Sequence, residues 1–188
     1  MTMSVKGTSD EGDIVALGYD QLVKKLYDKA LHNLRLAEHS GDERAYTYLA
    51  WIYDEGLGVN RDTVVAAKYC ESAIRSGDLS VCSRYARILE VSGDVRKAIE
   101  VLREGVDAND VRSLYNLGYL LSTPGTNYFS PTEAEKLLTM AASKGVPFAH
   151  RRLATIYFHR WLGRPYYAKG LVHFLKGGIA AVFSDDKN

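Results

Sequence analysis

Residues 45–77 read AYTYLAWIYDEGLGVNRDTVVAAKYCESAIRSG, the signature of one helical hairpin. Ala45, Leu49, Ile52 and Tyr53 recur at i, i+4, i+7 and i+8, the spacing of a buried face on an α-helix. The run Asp54-Glu55-Gly56-Leu57-Gly58 ends that helix, because glycine takes the positive φ that a side chain resists. Asp62 stands where the next helix needs an N-cap, its carboxylate placed to accept exposed backbone N–H groups. Ala66, Tyr69, Ala73 and Ile74 supply the inward face of that second helix, and Gly77 stops it. Each helix spans about three turns, too few to be stable alone in water. The hairpin therefore has to stack on neighbours, and repetition of the same unit supplies them.

The stops set the period. Gly41, Gly77, Asn109 and Gly145 are separated by 36, 32 and 36 residues, and Gly and Asn are the residues that best tolerate a left-handed helix end. Alanines keep step at 30, 66, 98, 134 and 168, with Ala37, Ala73, Gly105 and Ala141 one turn or two below them. The four residues missing from the unit after Gly77 fall between its helices, where EVSGD (90–94) replaces the longer 56–62 turn.

The pattern resembles the Sel-1-like repeat, a branch of the tetratricopeptide-repeat superfamily. Ala45, Leu49, Ala50, Tyr53, Gly56, Gly58, Val59, Asp62, Ala66, Ala73 and Gly77 match its positions, with Ala50 for the usual glycine and Tyr69 for the usual tryptophan. Units at 79–109, 113–145 and 149–179 repeat it with altered turns, so the resemblance covers roughly residues 26–176. It implies an all-α, right-handed α/α solenoid of helical hairpins, at about 13–41, 42–78, 79–110, 111–146 and 147–178 of a single domain over 13–184.

Length and composition agree with that reading. At 188 residues, 46% hydrophobic and 25% charged, the chain has the make-up of an ordinary soluble domain. No apolar stretch approaches transmembrane length, and MTMSVKGTSDEGD at the start lacks the apolar core of a signal peptide, so a cytoplasmic protein is expected. Cys70 and Cys82 are too few for a disulfide framework and have no zinc spacing. Charge is divided unevenly. Residues 1–135 carry 15 Lys and Arg against 21 Asp and Glu, whereas 136–184 carry eight Lys and Arg and no carboxylate.

Along the chain, residues 1–12 are expected to be disordered and 185–188 to form a tail. Segments 14–25 and 27–39 form a degenerate first hairpin with Asp13 as its cap, and further helices follow at about 43–55, 63–76, 79–91, 95–107, 111–122, 131–144, 147–160 and 165–177. Ser130-Pro131-Thr132-Glu133 has the make-up of a full helix start, with Ser as cap and Glu reaching back to it. Pro165 opens the last helix, Gly177-Gly178 ends it, and 179–183 is placed to fold back as an apolar lid.

No catalytic constellation stands out. His32, His39, His150, His159 and His173 include no pair at the HxxxH spacing a helix needs for a metal, and His150 and His159 point to different sides of one helix. Gly56-Leu57-Gly58 follows a helix and lacks the lysine of a phosphate loop. No enzyme activity, cofactor or metal is expected.

Binding surfaces are more legible. By resemblance to tetratricopeptide-type grooves, the first helix of each hairpin lines a concave side, with ligand-facing positions between its packing residues. These are Arg44, Thr47, Trp51 and Asp54, then Ser83, Arg87 and Glu90, then Tyr115 and Tyr119, then Arg151, Thr155, Phe158 and His159. Trp, Tyr and Arg among them are the residue types enriched at interface hot spots, although Trp51 and Tyr119 equally suit packing between hairpins. The expectation is a non-catalytic adaptor that binds a partner protein or peptide in this groove. Two alternatives stay open. One is a regulatory or self-assembling subunit, its acidic and basic parts meeting head to tail. The other is a binder of nucleic acid or an anionic glycan through the basic last third, where Phe148, Phe158, Trp161, Tyr166, Tyr167 and Phe174 lie among the cations.

Overall fold

The computed structural model describes residues 13–159 and 167–184, with side chains in the last helix described from 168 to 178. The expectations for residues 1–12 and 185–188 and for Pro165 lie outside the described residues, as do Trp161, Tyr166 and the side chain of Tyr167 among the aromatics of the basic third. Among the described residues there are ten α-helices, one short 3-10 turn and no strand. The chain is an all-α helical repeat, and its residues cluster into two compact units, one ending at Val81 and one beginning at Cys82.

The first unit holds α1 (Ile14–Val23), α2 (Tyr27–His39), α3 (Ala45–Glu55) and α4 (Thr63–Arg75), then the 3-10 turn Leu79–Val81. Its core is Val15, Leu22, Ala30, Leu34, Ala37, Ala45, Leu49 and Ile52. Both expected caps form: the Asp13 carboxylate accepts from the N–H of Val15 and Ala16, and that of Asp62 from Val64 and Val65. Tyr69 stands at the usual tryptophan position, stacked on Tyr53 with centroids 5.8 Å apart, and its hydroxyl donates to Glu38 at 3.2 Å. Burial and that carboxylate push the Tyr69 phenol up to about 12. Cys70 joins Ala66 and Ala73 as the fully buried residues of α4, while Ile74 is only half-buried.

The second unit holds α5 (Cys82–Ser92), α6 (Val95–Asp107), α7 (Val111–Leu121), α8 (Pro131–Ser143), α9 (Pro147–Phe158) and α10 (Tyr167–Ser184). Successive helices pair as antiparallel neighbours, and Ala86, Leu102, Leu114, Leu117, Leu138, Ala141, Leu153 and Ile156 are buried between them. Ion pairing ties one hairpin to the next, Arg103 donating to Glu133 at 2.7 Å.

The four stop residues share one geometry. Gly41, Gly77, Asn109 and Gly145 all have positive φ, from 62° to 92°. The residue after each closes a 6→1 hydrogen bond: Asp42 N–H to Ala37, Asp78 to Ala73 and Asp110 to Gly105 at 2.9 Å, and Val146 to Ala141 at 3.1 Å. The buried small residue of each second helix is thus also the carbonyl that ends it. At the first three boundaries the closing residue is an Asp whose carboxylate accepts from backbone N–H groups ahead, Arg44 for Asp42, Ser80 for Asp78, and Arg112 and Ser113 for Asp110. One dipeptide stops a helix and starts the next.

Three expectations are corrected. Gly177-Gly178 does not end α10, which runs on to Ser184, so 179–183 continues the helix rather than folding back as a lid. The side chain of Ser130 makes no cap bond, and Glu133 turns to Arg103 instead of reaching back; Pro131 still opens α8. Ala168 is exposed, and α10 buries Gly170 and Gly177 instead. A Cβ on Gly170 would lie 2.8 Å from the Phe158 ring, and one on Gly177 would lie 3.0 Å from Arg151 Cγ. These two glycines, seven residues apart on one helical face, set α10 against positions 151 and 158 of α9, which the repeat pattern assigns to ligand.

Candidate functional site

In α9, Phe148, Arg151, Arg152, Thr155 and Phe158 recur at i, i+3, i+4, i+7 and i+10 and form one helical face. Tyr115 of α7 stands on one side of it, its ring 6.5 Å from that of Phe148, and Phe174, Gly177 and Gly178 of α10 close the other. The residues enclose an open cavity of about 690 Å³, floored in part by Ala154. That volume falls within the ~300–1,000 Å³ usual for small binding sites.

The two arginines differ in how they are held. Arg152 donates through Nε to Ser122 Oγ at 2.6 Å, and through Nη2 to the Ser122 carbonyl at 3.0 Å and Thr123 Oγ1 at 3.1 Å. Its guanidinium lies 4.5 Å from the centre of the Tyr119 ring, a cation–π contact that fixes its plane. Arg151 is exposed and makes no ion pair among the described residues. Among the described residues that line it, none is Asp, Glu, His, Cys or Ser. Burial, with Tyr119 adjacent, raises the Tyr115 phenol above its ordinary value, and the arginines oppose the shift. The chemistry on offer is aromatic surface and positive charge, with no nucleophile–base pair among the described lining residues.

Tyr115, Arg151, Thr155 and Phe158, all expected to face ligand, come together here, with Tyr119 alongside, 6.3 Å from Tyr115. His159 caps the C-terminus of α9, exposed, and does not line the cavity. Ser83 accepts from Asn116 at 2.7 Å, Arg87 is exposed on α5, and Glu90 is half-buried, its carboxyl raised by that burial. In the first unit the expected positions are engaged locally. Arg44 pairs with both Asp13 and Asp42 at 2.7 Å, and its hydrogen bonds hold both carboxyls below the usual range. Thr47 donates to Asp78, and Trp51 is half-buried against the Leu34–Leu49 core. Asp54 is not ligand-facing: it is fully buried, Arg61 donating to its backbone carbonyl at 2.7 Å with the carboxylate 3.8 Å from the same guanidinium.

Arg152, Phe148 and Phe174 were not among the groove positions expected from the repeat; they entered only as cation and aromatics of the basic last third. The α9 spacing carries the signal for the first two. Repeat position gave Phe174 no signal, because only the first helix of each hairpin was expected to line the groove. Also unexpected is a histidine pair, His150 Nδ1 and His173 Nδ1, which stand 2.8 Å apart and bridge α9 to α10. Among the described residues no group of three or more His, Cys, Asp or Glu is placed to hold a metal ion, and no helix is long and apolar enough to cross a membrane.

The comparisons with known proteins follow the same lines. The Sel1 repeat pattern matches residues 14–42, 43–78 and 111–146. The solved structure of a Sel1 repeat protein from Oxalobacter formigenes superposes with a TM-score of 0.75 at 20% identity, covering 88% of this chain and 69% of that one. That of c5321, a protective antigen of uropathogenic Escherichia coli with an SLR fold, gives 0.76 at 24% identity, covering 93% of this chain and 41% of the longer one. No curated protein matches at a significant level. With three repeat matches spanning more than half its length, and the same helix stops recurring in its structure, the chain belongs to the Sel1 repeat family.

Proposed function

We propose that the protein is a non-catalytic interaction scaffold that holds a segment of a partner protein in the cavity between α7, α9 and α10. Sel1 repeat proteins generally mediate protein–protein interactions. What supports the cavity as the place is convergence: Tyr115, Arg151, Thr155 and Phe158, picked out by repeat position, line one concave site together. Four aromatic rings and two guanidinium groups are the side chains of interface hot spots. A preformed site of this kind binds with little ordering cost. We place this activity in the cytoplasm.

The test is affinity capture from native lysate with the parent chain and a Tyr115→Ala/Phe148→Ala variant of unchanged helicity. The parent should retain a partner that the variant loses at least tenfold. Equal retention by both would move the interface away from the cavity.

A second reading, self-association, draws on α10, where Leu171, Val172 and Leu175 are 53, 49 and 53% exposed between Lys169 and Lys176. A solution mass above that of one chain, falling with added salt, would favour it.

A further inference from the structure

Arg152 is built as a receptor. Its Nε and Nη2 are bound to Ser122 and Thr123 and its face lies over Tyr119. Nη1 makes no hydrogen bond among the described residues and is the edge left for a ligand. Arg151 stands one residue away on the same cavity wall, exposed and without a carboxylate partner among the described residues. No acidic residue occurs anywhere from 136 to 184. Two positive groups with no internal counter-charge, one of them pre-oriented, are complementary to a carboxylate. Around them stand Tyr115, Phe148, Phe158 and Phe174, with Phe148, Phe158 and Phe174 exposed by 58, 40 and 59%. Such rings favour another aromatic ring, which packs against them edge to face or offset. The cavity of about 690 Å³ admits a few side chains rather than a folded surface.

We infer that the occupant is a short acidic segment of a partner protein, in which an Asp or Glu lies within two residues of an aromatic side chain. The carboxylate meets Arg152 Nη1 and Arg151, and the ring enters among Tyr115, Phe148 and Phe158. This rests on the cavity being the partner site, and it names the chemistry that site selects.

The experiment uses the full chain, immobilised and panned against a random twelve-residue peptide display library. The selected peptides are then measured by fluorescence polarisation against the parent, Arg151→Met, and Tyr115→Ala/Phe148→Ala. The expected consensus pairs an acidic with an aromatic residue. Changing its acid to the amide should weaken binding to the parent about tenfold and to Arg151→Met clearly less, by about threefold, the remainder being the share of Arg152. Arg151 is the variant of choice because Arg152 also ties α9 to Ser122 and Thr123. A consensus without an acid, an acid whose loss costs the same in both proteins, or no consensus overturns the inference. Tighter binding of oligo-dT of matched length than of the best peptide overturns it in favour of polyanion binding. Peptides that keep their affinity for Tyr115→Ala/Phe148→Ala refute the cavity itself. Peptides that need those rings but not the acid leave the cavity standing and refute only its acid selection.

Discussion

Gly77 has a φ of +92°, and nothing lies within 4 Å of where its Cβ would stand. A side chain there meets no neighbour, so the penalty is one of backbone conformation alone. Gly77→Val should lower stability by more than about 1 kcal/mol, since a β-branched residue resists the left-handed region. Gly77→Asn should cost clearly less, because Asn109 holds the same place one repeat later with a φ of 62°. Equilibrium urea denaturation of the three proteins checks both, and equal midpoints for Val and Gly would remove Gly77 as a helix stop. These residues were legible from sequence because left-handed geometry admits few residue types and the spacing gave their period. Asp54 was not, because a carboxylate on a helix face reads as exposed, and its burial depends on the packing of the 56–62 turn around it.

Helix pairs within the repeats balance size across one contact. A Cβ on Gly18 would lie 2.7 Å from Leu34 Cγ, and one on Gly118 would lie 2.8 Å from Leu138 Cγ. At the same register α3 and α4 carry Ala50 and Cys70, both fully buried. In α3 the alanine that replaces the family's usual glycine thus shares its register with a side chain smaller than leucine. Gly118→Ala should then destabilise by about 1–3 kcal/mol through overpacking, despite alanine's better helix propensity. Adding Leu138→Cys should make the Gly118→Ala step less costly than it is in the parent, which a double-mutant cycle of chemical denaturation measures. In the last hairpin, α10 is joined to α9 by the His150–His173 pair, where burial, with Lys176 nearby and Lys169 also facing His173, depresses both imidazoles while Glu135 of α8 opposes the shift on His173. The Tyr157 ring packs 5.6 Å from His173. The unfolded chain binds more protons between its own pKa near 6.5 and the lower folded values. Stability is therefore complete above pH 6.5 and falls as the pH drops through that window. The melting temperature should fall from about pH 7.5 to about pH 5, and the drop should shrink in a His150→Leu/His173→Leu variant. Nothing in the spacing of 23 residues announced this pair. It follows from the Gly170 and Gly177 face, which sets α10 in a register the earlier repeats do not share.

At the scale of the whole chain, the all-α repeat architecture was legible because periodicity is a property of many positions at once, and single departures such as Ala168 do not erase it. The cavity was half legible. Repeat position marks what the first helices α7 and α9 contribute, whereas the α10 wall departs from the repeat and left no periodic trace. Charge is also a whole-chain property: an excess of eight cations over 136–184, against the acidic 1–135, predicts that acidic partners bind more weakly as salt rises. Titrating a selected acidic peptide from about 50 to 300 mM salt should show that loss. The most direct test of the scaffold account is site-specific photo-crosslinking, with benzoylphenylalanine placed at Phe158 in the cavity or at Val64, which is 66% exposed on α4. The account predicts that a partner protein in native lysate cross-links from position 158 and not from 64, and that the adduct disappears in the Tyr115→Ala/Phe148→Ala background. A partner that cross-links equally from both positions, or from 158 regardless of those two rings, would contradict it.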